Sequence, residues 1–568
     1  MLTAERVAGT AAAAGMSAPV LDDSFDLIVI GAGINGAGIA RDAAARGLRV
    51  ALVEREDIGS GTSNWSGRLI HGGLRYLEQG DVRLVRESLR ERERLFRLAP
   101  HLVKPVPVMM PFYSYNRRSE WIVRMGMVAY DALSWDKSTA SHTVLSREAT
   151  LRRNPGLDST SLNGSAVFMD GQVVWSERLC VEVVLSACAD GAKLYTHCEV
   201  DGLVGDGRTV CGIRFTDRLT GKRHALGARI VVNATGPWVD AVLSNDNRTK
   251  RRHIGGTKGS HAVVAPFPGA PGDVVYYESK VDGRLVLVIP WGDRYLLGTT
   301  DLRFEAAPET ARADASEVSY LLGEVNRLIP RANLQMSDVL YTYSGIRPLP
   351  FVPDRSEWKV PRSHVIHDHA PEQQGLLSII GGKLTTYRSL AEEAVDVVFK
   401  QLGRKPPRCT TADTPFLGAR VSDWTAFRNH LLAASGLGAA VVDHLISLYG
   451  SRAADVVALG HLDPDLLEIV DPVTSTIGAE LVFTYRTEFA RTLSDVLIRR
   501  TIVSHNAALG LDVVDRAADI LAADLEWDDA RRDREIADYR RYVGRFEVPG
   551  DVLASAPPVE RRQSTDVA

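Results

Sequence analysis

The hydrophobic pattern becomes sustained at Phe25, where FDLIVIGAGINGAGIARDAAARGLRVALVERE alternates apolar runs with small residues. The apolar run at Leu27–Ile30 predicts a strand buried on both faces. A glycine turn follows, then a helix over Gly36–Arg46 and a second parallel strand over Val50–Val53. Between 81 and 96, Leu84, Val85, Leu89, Leu95 and Phe96 recur at helical spacing. The charges around them, including Glu93 and Arg97 at i,i+4, predict a solvated helix surface laced with ion pairs. From about 200 to 350 β-branched runs alternate with turn signals, and Gly292-Asp293 in RLVLVIPWGDRYLLGTTD predicts a hairpin. Two further strands are expected in ARIVVNATGPWVD (228–240) and LLSIIGGKLTTYR (376–388), the latter leading into a helix with Thr385 near its cap. Proline-rich RKPPRCTTADTP (404–415) reads as a linker, and the pattern beyond it is helical to about Arg545, including EFARTLSDVLIRRTIVSH (488–505). Residues 1–22 are small and Ala-rich and 551–568 polar with two prolines, both expected to be disordered.

The chain has 568 residues, which predicts two or three domains. Its 45% hydrophobic and 24% charged residues exclude a wholly disordered or fibrous chain. A net charge of −4 gives no case for nucleic-acid binding. The 5 cysteines (Cys180, Cys188, Cys198, Cys211, Cys409) are odd in number and lack CxxC spacing, which argues for a reducing compartment and against a disulfide framework or a zinc site. No apolar run approaches the roughly 20 residues that cross a bilayer, and the first residues lack the pattern of a secretory signal. An intracellular protein, soluble or peripheral, is the expectation.

Gly31, Gly33 and Gly36 form GxGxxG directly after a strand and at the start of a helix. The first glycine permits the turn, the second lets backbone approach a pyrophosphate, and the third lets helix and strand pack closely. The helix amides then suit a diphosphate. Glu54 ends the second strand, where a carboxylate accepts ribose hydroxyls and repels a 2′-phosphate. Two later features favour FAD over NAD. Ala234-Thr235-Gly236 ends a strand in a turn of the kind flavoenzymes place against the dinucleotide. Gly381-Gly382 precedes a helix start whose amides suit the flavin N1–C2=O edge, which becomes negative on reduction.

Six segments occur together: GAGINGAGIARDAAARG, SGRLIHGGLRYLE, TKGSH, VIPWGDRYLLGTTD, TYSGIRPL and GGKLTTYR. In order and spacing the chain resembles FAD-dependent glycerol-3-phosphate dehydrogenases over about residues 25–545. The resemblance implies an α/β fold: a Rossmann-like FAD-binding domain interleaved with an antiparallel-sheet substrate domain, plus a C-terminal all-α domain. The expected division is an extension at 1–22, FAD-binding and substrate parts over 23–405 (substrate mainly about 245–345), helices over 406–545, and a tail over 546–568. The implied reaction oxidises sn-glycerol 3-phosphate to dihydroxyacetone phosphate and passes electrons to membrane quinone. Implied cofactor contacts are Gly31, Ala32, Gly33, Asn35 and Gly36 in the first turn; Glu54, Arg55, Thr62, Ser63 and Ser66 after the second strand; and His71, Gly72 and Gly73 in LIHGG. Ala234, Thr235 and Gly236, then Gly382, Lys383, Leu384 and Thr385, complete them. Two positions depart from the family pattern: Arg68 stands where lysine is usual, and Trp65 where the residue is small or polar.

A phosphorylated alcohol needs cations for its dianion and a base for its hydroxyl proton. Arg75, Arg347 and Lys383 are the phosphate candidates, with Arg347 alternatively facing the reacting hydroxyl. Tyr76 is either a phenol donor beside Arg75 or a buried structural tyrosine. His261 is the candidate general base and Lys258 an electrostatic support; Asp301 reads as a turn cap. SYNRRSEWIVRMGMVAYDALSW (114–135) reads either as an interfacial segment or as a core helix with a basic edge. Peripheral contact with the cytoplasmic face of the inner membrane and a homo-oligomer complete the expectation. The rival readings are a flavin oxidase of the same fold, using oxygen on glycerol 3-phosphate or an amine, and a flavin-binding module without chemistry.

Overall fold

The computed structural model describes residues 24–78, 80–244, 251–353 and 362–550. The expected disordered extension and residues 551–568 of the expected tail lie outside them.

The strand Ser24–Ile30 is the centre of the first sheet, with Leu27, Ile28 and Val29 wholly buried. It pairs in parallel with Val50–Val53 on one side and Arg223–Asn233 on the other. Leu376–Ile380 and Lys193–Tyr195 extend the parallel run, and Val365–Asp368 closes one edge antiparallel. Helices cover this sheet, so its strands are apolar on both faces. Gly38 allows the helix Ile34–Ala45 to approach Tyr387 of the helix Tyr387–Gln401; a Cβ there would lie 2.7 Å from the ring. The carboxyl ends of four parallel strands therefore meet at Gly31, Glu54, Ala234 and Gly381, where open α/β sheets bind ligands.

Among the described residues the second sheet has 10 strands and centres on Thr257–Val264, between Arg294–Gly298 and Val339–Arg347. The expected hairpin forms, with Trp291 opposite Arg294 across Gly292-Asp293. The sheet draws more widely than 245–345, because Val103–Tyr113 and Leu162–Val173 pair along their whole lengths and join it through Val274–Glu278.

Beyond the linker, helices such as Ala439–Tyr449, Gly478–Thr487, Val514–Leu525 and Asp529–Val543 follow. Much of this part shares a core with the second sheet, where Leu481, Leu497 and Tyr539 pack with Phe112, Trp291 and Tyr343. The segment 488–505 departs from the regular helix its periodicity suggests. It divides into Leu493–Asp495, a π-helical turn Val496–Arg500 and a short turn Val503–His505. The cause is ionic: Arg499 and Arg500 reach wholly buried Asp57 of the first domain at 2.6 and 2.8 Å. Arg178–Glu488 and Glu177–His505 make further buried links between the same parts. The tail also begins later than expected, since Phe546 is buried and Thr342 Oγ1 donates to the Glu547 carbonyl.

The helix Val82–Leu98 forms as predicted, but its central charges are buried rather than solvated. Glu91 takes Arg388 at 2.7 Å, Arg92 takes Asp170 at 2.8 Å, and Glu93 accepts from Arg92 and Ser138, not from Arg97. Among the described residues no helix is long and apolar enough to cross a membrane.

Candidate active site

A cleft of about 450 Å³ opens at the meeting point of the strand ends. Gly31 has φ 100°, and a Cβ on Gly36 would lie 1.9 Å from the Gly31 carbonyl oxygen. Both positions therefore require glycine. A Cβ on Gly33 would meet only Ser63 Oγ, at 3.4 Å, so the backbone there stays open to a ligand. The Glu54 carboxylate accepts from the amides of Ala32 and Glu56 at 2.7 and 2.9 Å, tying the turn to the second strand. Burial pushes its pKa up while these amides pull it down. Arg55 lies over the Trp238 ring at 4.6 Å, and Trp238 Nε1 donates to Glu309. Thr62 donates to the Ile346 carbonyl and Tyr343 to the Ser66 carbonyl, so the loop after the second strand is fastened to the second sheet.

Within the second sheet, His261 stands opposite Tyr343 with ring centroids 4.8 Å apart. Its pKa is held down to about 3, chiefly by burial and then by Arg347 and Arg68. The imidazole is therefore neutral, and its Nδ1 has no hydrogen-bond partner among the described residues. Arg347 reaches Asp301 at 2.9 Å and Thr299 at 3.0 Å, and Arg362 meets the other Asp301 oxygen at 3.2 Å. Asp301 thus holds two guanidiniums together; it is not a turn cap. Lys383 projects from the Gly381-Gly382 turn with a buried, unpartnered Nζ. Burial lowers its pKa to about 7, with Glu87 and Asp81 opposing and Arg362 adding.

The donor set fits a flavin dinucleotide: a glycine turn at a helix N-terminus, an acid at the second strand end, and orphaned polar atoms on Asn35 and Lys383. Comparison with known proteins agrees. The model of the FAD dependent oxidoreductase family matches residues 26–388, and that of the C-terminal domain of alpha-glycerophosphate oxidase matches 409–532. A glycerol-3-phosphate dehydrogenase of Synechocystis sp. is 42% identical over 548 residues, covering 93% of this chain and 98% of that one. Glycerol-3-phosphate dehydrogenase 2 of Mycobacterium tuberculosis is 35% identical over 541 residues, covering 94% and 90%. The solved glycerol-3-phosphate dehydrogenase from Bacillus halodurans complexed with FAD superposes with a TM-score of 0.76 at 28% identity, over 94% of this chain and 97% of that one. The chain belongs to the FAD-dependent glycerol-3-phosphate dehydrogenase family. Its cofactor is FAD.

Within this family fold, Gly31, Gly33, Asn35, Glu54, Arg55, Thr62, Ser63 and Ser66 line the cleft. So do Ala234, Thr235, Gly236, Gly382, Lys383 and Leu384. Ala32 and Gly36 act behind it, through the Glu54 bond and the helix–strand approach. His71, Gly72, Gly73 and Thr385 also lie off the lining: the His71 amide donates to Thr385 Oγ1 and the Gly72 amide to Tyr130. The helix cap is Thr386, so Thr385 stands next to it as expected. Tyr76 faces Lys383, whereas Arg75 lies in the short helix Leu74–Glu78 with its side chain outside the described residues. Lys258 is a structural cation, 2.7 Å from Glu317. Arg68 is fully buried against Glu177 at 2.6 Å and lies over Trp291, so the departure from lysine builds an ion pair behind the site. Trp65 lines the cleft and packs on Tyr343 and Phe546. Two arginines outside the six segments come near the site through the fold: Arg545 lines the cleft and Arg362 pairs with Asp301.

Proposed function

We propose that the protein oxidises sn-glycerol 3-phosphate at C2 to dihydroxyacetone phosphate and delivers the electrons to a membrane quinone. The observation that carries this reading is a chain of cations: Arg347 and Arg362 share Asp301, the Arg347 charge reaches neutral His261, and the Arg362 charge reaches Lys383, whose Nζ lacks a hydrogen-bond partner. Guanidinium forks and an ammonium suit a phosphate dianion. FAD, when bound, supplies the two-electron acceptor for the C2 hydride. His261 takes the C2 hydroxyl proton, and its low pKa keeps it neutral for that task. A bound dianion raises that pKa, since opposite charge favours the imidazolium. Arg347, oriented by Asp301, steadies the oxygen or the phosphate from the sheet side.

The acceptor is read from the helix Glu120–Leu133, whose buried face is Val123, Met127 and Tyr130. Trp121 is 68% and Trp135 78% exposed, and Ile122, Met125 and Val128 stand out beside them. Aromatic and aliphatic side chains flanked by Arg118 and Arg124 suit a lipid interface, where a quinone resides. The second reading is an oxidase, favoured by the match of residues 409–532 to the C-terminal domain of alpha-glycerophosphate oxidase. Anaerobic addition of glycerol 3-phosphate should bleach the flavin absorbance; an unbleached holoenzyme would overturn the reading. Reoxidation by a short-chain quinone faster than by oxygen supports the dehydrogenase, while stoichiometric peroxide supports the oxidase.

A further inference from the structure

The C-terminal part contributes a cation to the cofactor cleft. Arg545 lies in the turn Gly544–Phe546, after the helix Asp529–Val543, and lines the cleft beside Trp65, Ala311 and Glu309. Its guanidinium carbon is 4.7 Å from the Tyr542 ring centre and 5.8 Å from that of Trp65. Phe546 packs on Trp65 at 5.2 Å, and the Glu547 carbonyl accepts from Thr342, so the turn is pinned to the second sheet. The buried pairs Arg500–Asp57, Arg178–Glu488 and His505–Glu177 fix the whole C-terminal part against the first domain.

Arg545 has no carboxylate within ion-pair distance among the described residues. It donates one long hydrogen bond, 3.5 Å, to the Glu309 carbonyl, while the Glu309 carboxylate is taken by Trp238. Burial, and then the Arg545 charge, lower the pKa of neighbouring Arg312, as expected for two cations facing each other. Of the other cations lining the cleft, Arg55 stacks on Trp238 and approaches Glu56 at 3.9 Å, and Lys383 lies against Tyr76. A guanidinium held between rings, without a counter-ion, on the wall of a dinucleotide cleft has the chemistry of an anion contact.

We propose that Arg545 binds a phosphate group of the ligand in this cleft, the FAD diphosphate in the first place, so that the C-terminal part completes the cofactor site. The test is titration of FAD into apoprotein, followed by flavin fluorescence, for wild type, Arg545→Gln and Arg545→Lys. Arg545→Gln should weaken FAD binding about tenfold or more, the loss of one charge-assisted contact. Arg545→Lys should recover part of it, and apoprotein Tm should stay at the wild-type value. If FAD binds normally but the KM for glycerol 3-phosphate and the inhibition constant of inorganic phosphate both rise about tenfold, the phosphate contacted is the substrate's and the assignment stands. Wild-type values for all three constants would overturn it. Equal losses in both variants with a lowered apoprotein Tm would also overturn it, by showing a packing role. The FAD titration is readable whether or not glycerol 3-phosphate is the substrate, so failure here is distinct from failure of the proposed reaction.

Discussion

Lys383 Nζ lies 3.6 Å from the centre of the Tyr76 ring, buried and without a hydrogen-bond partner. The ring face attracts a cation, yet burial lowers the lysine pKa to about 7. The lysine therefore loses its proton as pH rises through about 7, before any phosphate arrives. Since only the cation attracts a dianion, KM for glycerol 3-phosphate should rise as pH increases through 7. The substitution Lys383→Arg, which keeps the charge at all these pH values, should flatten the rise. Lys383→Met should raise KM throughout while FAD stays bound. Initial rates between about pH 6 and 9 check this, a window that brackets the lowered lysine pKa; a KM profile shared by wild type and both variants would place the phosphate elsewhere.

His261 is neutral for a different reason, with a pKa of about 3 set mainly by burial. General-base catalysis contributes about 10²–10⁴-fold, so His261→Asn should lower kcat by that order with a modest change in KM. A lowered pKa keeps the active neutral form present as pH falls. The kcat/KM profile, which reports the free enzyme, should therefore show no inflection near about 6.5 that belongs to His261. The substrate's own phosphate titration remains in both proteins and serves as the internal reference. Near-normal anaerobic flavin reduction in His261→Asn would make the histidine structural and leave Arg347 or a water as the proton acceptor.

Glu54 offers a test of the cofactor end. Its carboxylate accepts from Ala32 and Glu56 amides, so it orders the glycine turn as well as facing the cleft. Glu54→Gln exchanges one acceptor oxygen for a donor and should weaken FAD by about 1.5–3 kcal/mol, the worth of a charge-assisted hydrogen bond. Equilibrium FAD titration measures it, and an unchanged dissociation constant would mean the ribose is held by other groups.

What was legible in the sequence was local. The strand, turn, helix and strand around Gly31–Val53 could be read because apolar period and glycine placement act within a few residues. The Gly292-Asp293 hairpin was legible for the same reason. The cleft-lining positions followed from motifs whose residues are neighbours in the chain. The charges at 91–93 were misjudged because their partners, Asp170 and Arg388, are far away in sequence. The π-helical turn at Val496–Arg500 likewise answers to Asp57, over 400 residues earlier. Arg362, Arg545 and the role of Asp301 depend on side chains that are far apart in sequence, and no spacing rule carries that information.

The Asp57 contacts give the sharpest prediction about the C-terminal part. Asp57 is wholly buried and accepts from Arg499 Nε at 2.6 Å and from Arg500 Nη1 and Nη2 at 2.8 Å. It lies 3 residues beyond Glu54, in the loop that carries Thr62 and Ser63 into the cleft. Asp57→Asn keeps the shape and removes the charge, leaving Arg499 with Asp495, itself shared with His197, and Arg500 with the Glu488 carbonyl. Breaking a buried pair by removing one partner costs about 3–5 kcal/mol, because the stranded charge loses its compensation. The variant should therefore unfold at lower denaturant and bind FAD more weakly, as the loop and the π-helical turn loosen together. Asp57→Leu combined with Arg500→Met should recover part of the stability, since it removes one of the two stranded charges and leaves Arg499 its bond to Asp495. Chemical denaturation of holoprotein and apoprotein, with FAD titration alongside, separates the two effects. If Asp57→Asn unfolds like wild type, the buried ions contribute nothing to holding the C-terminal part in place. If stability falls but FAD affinity does not, the link braces the domains without shaping the cleft.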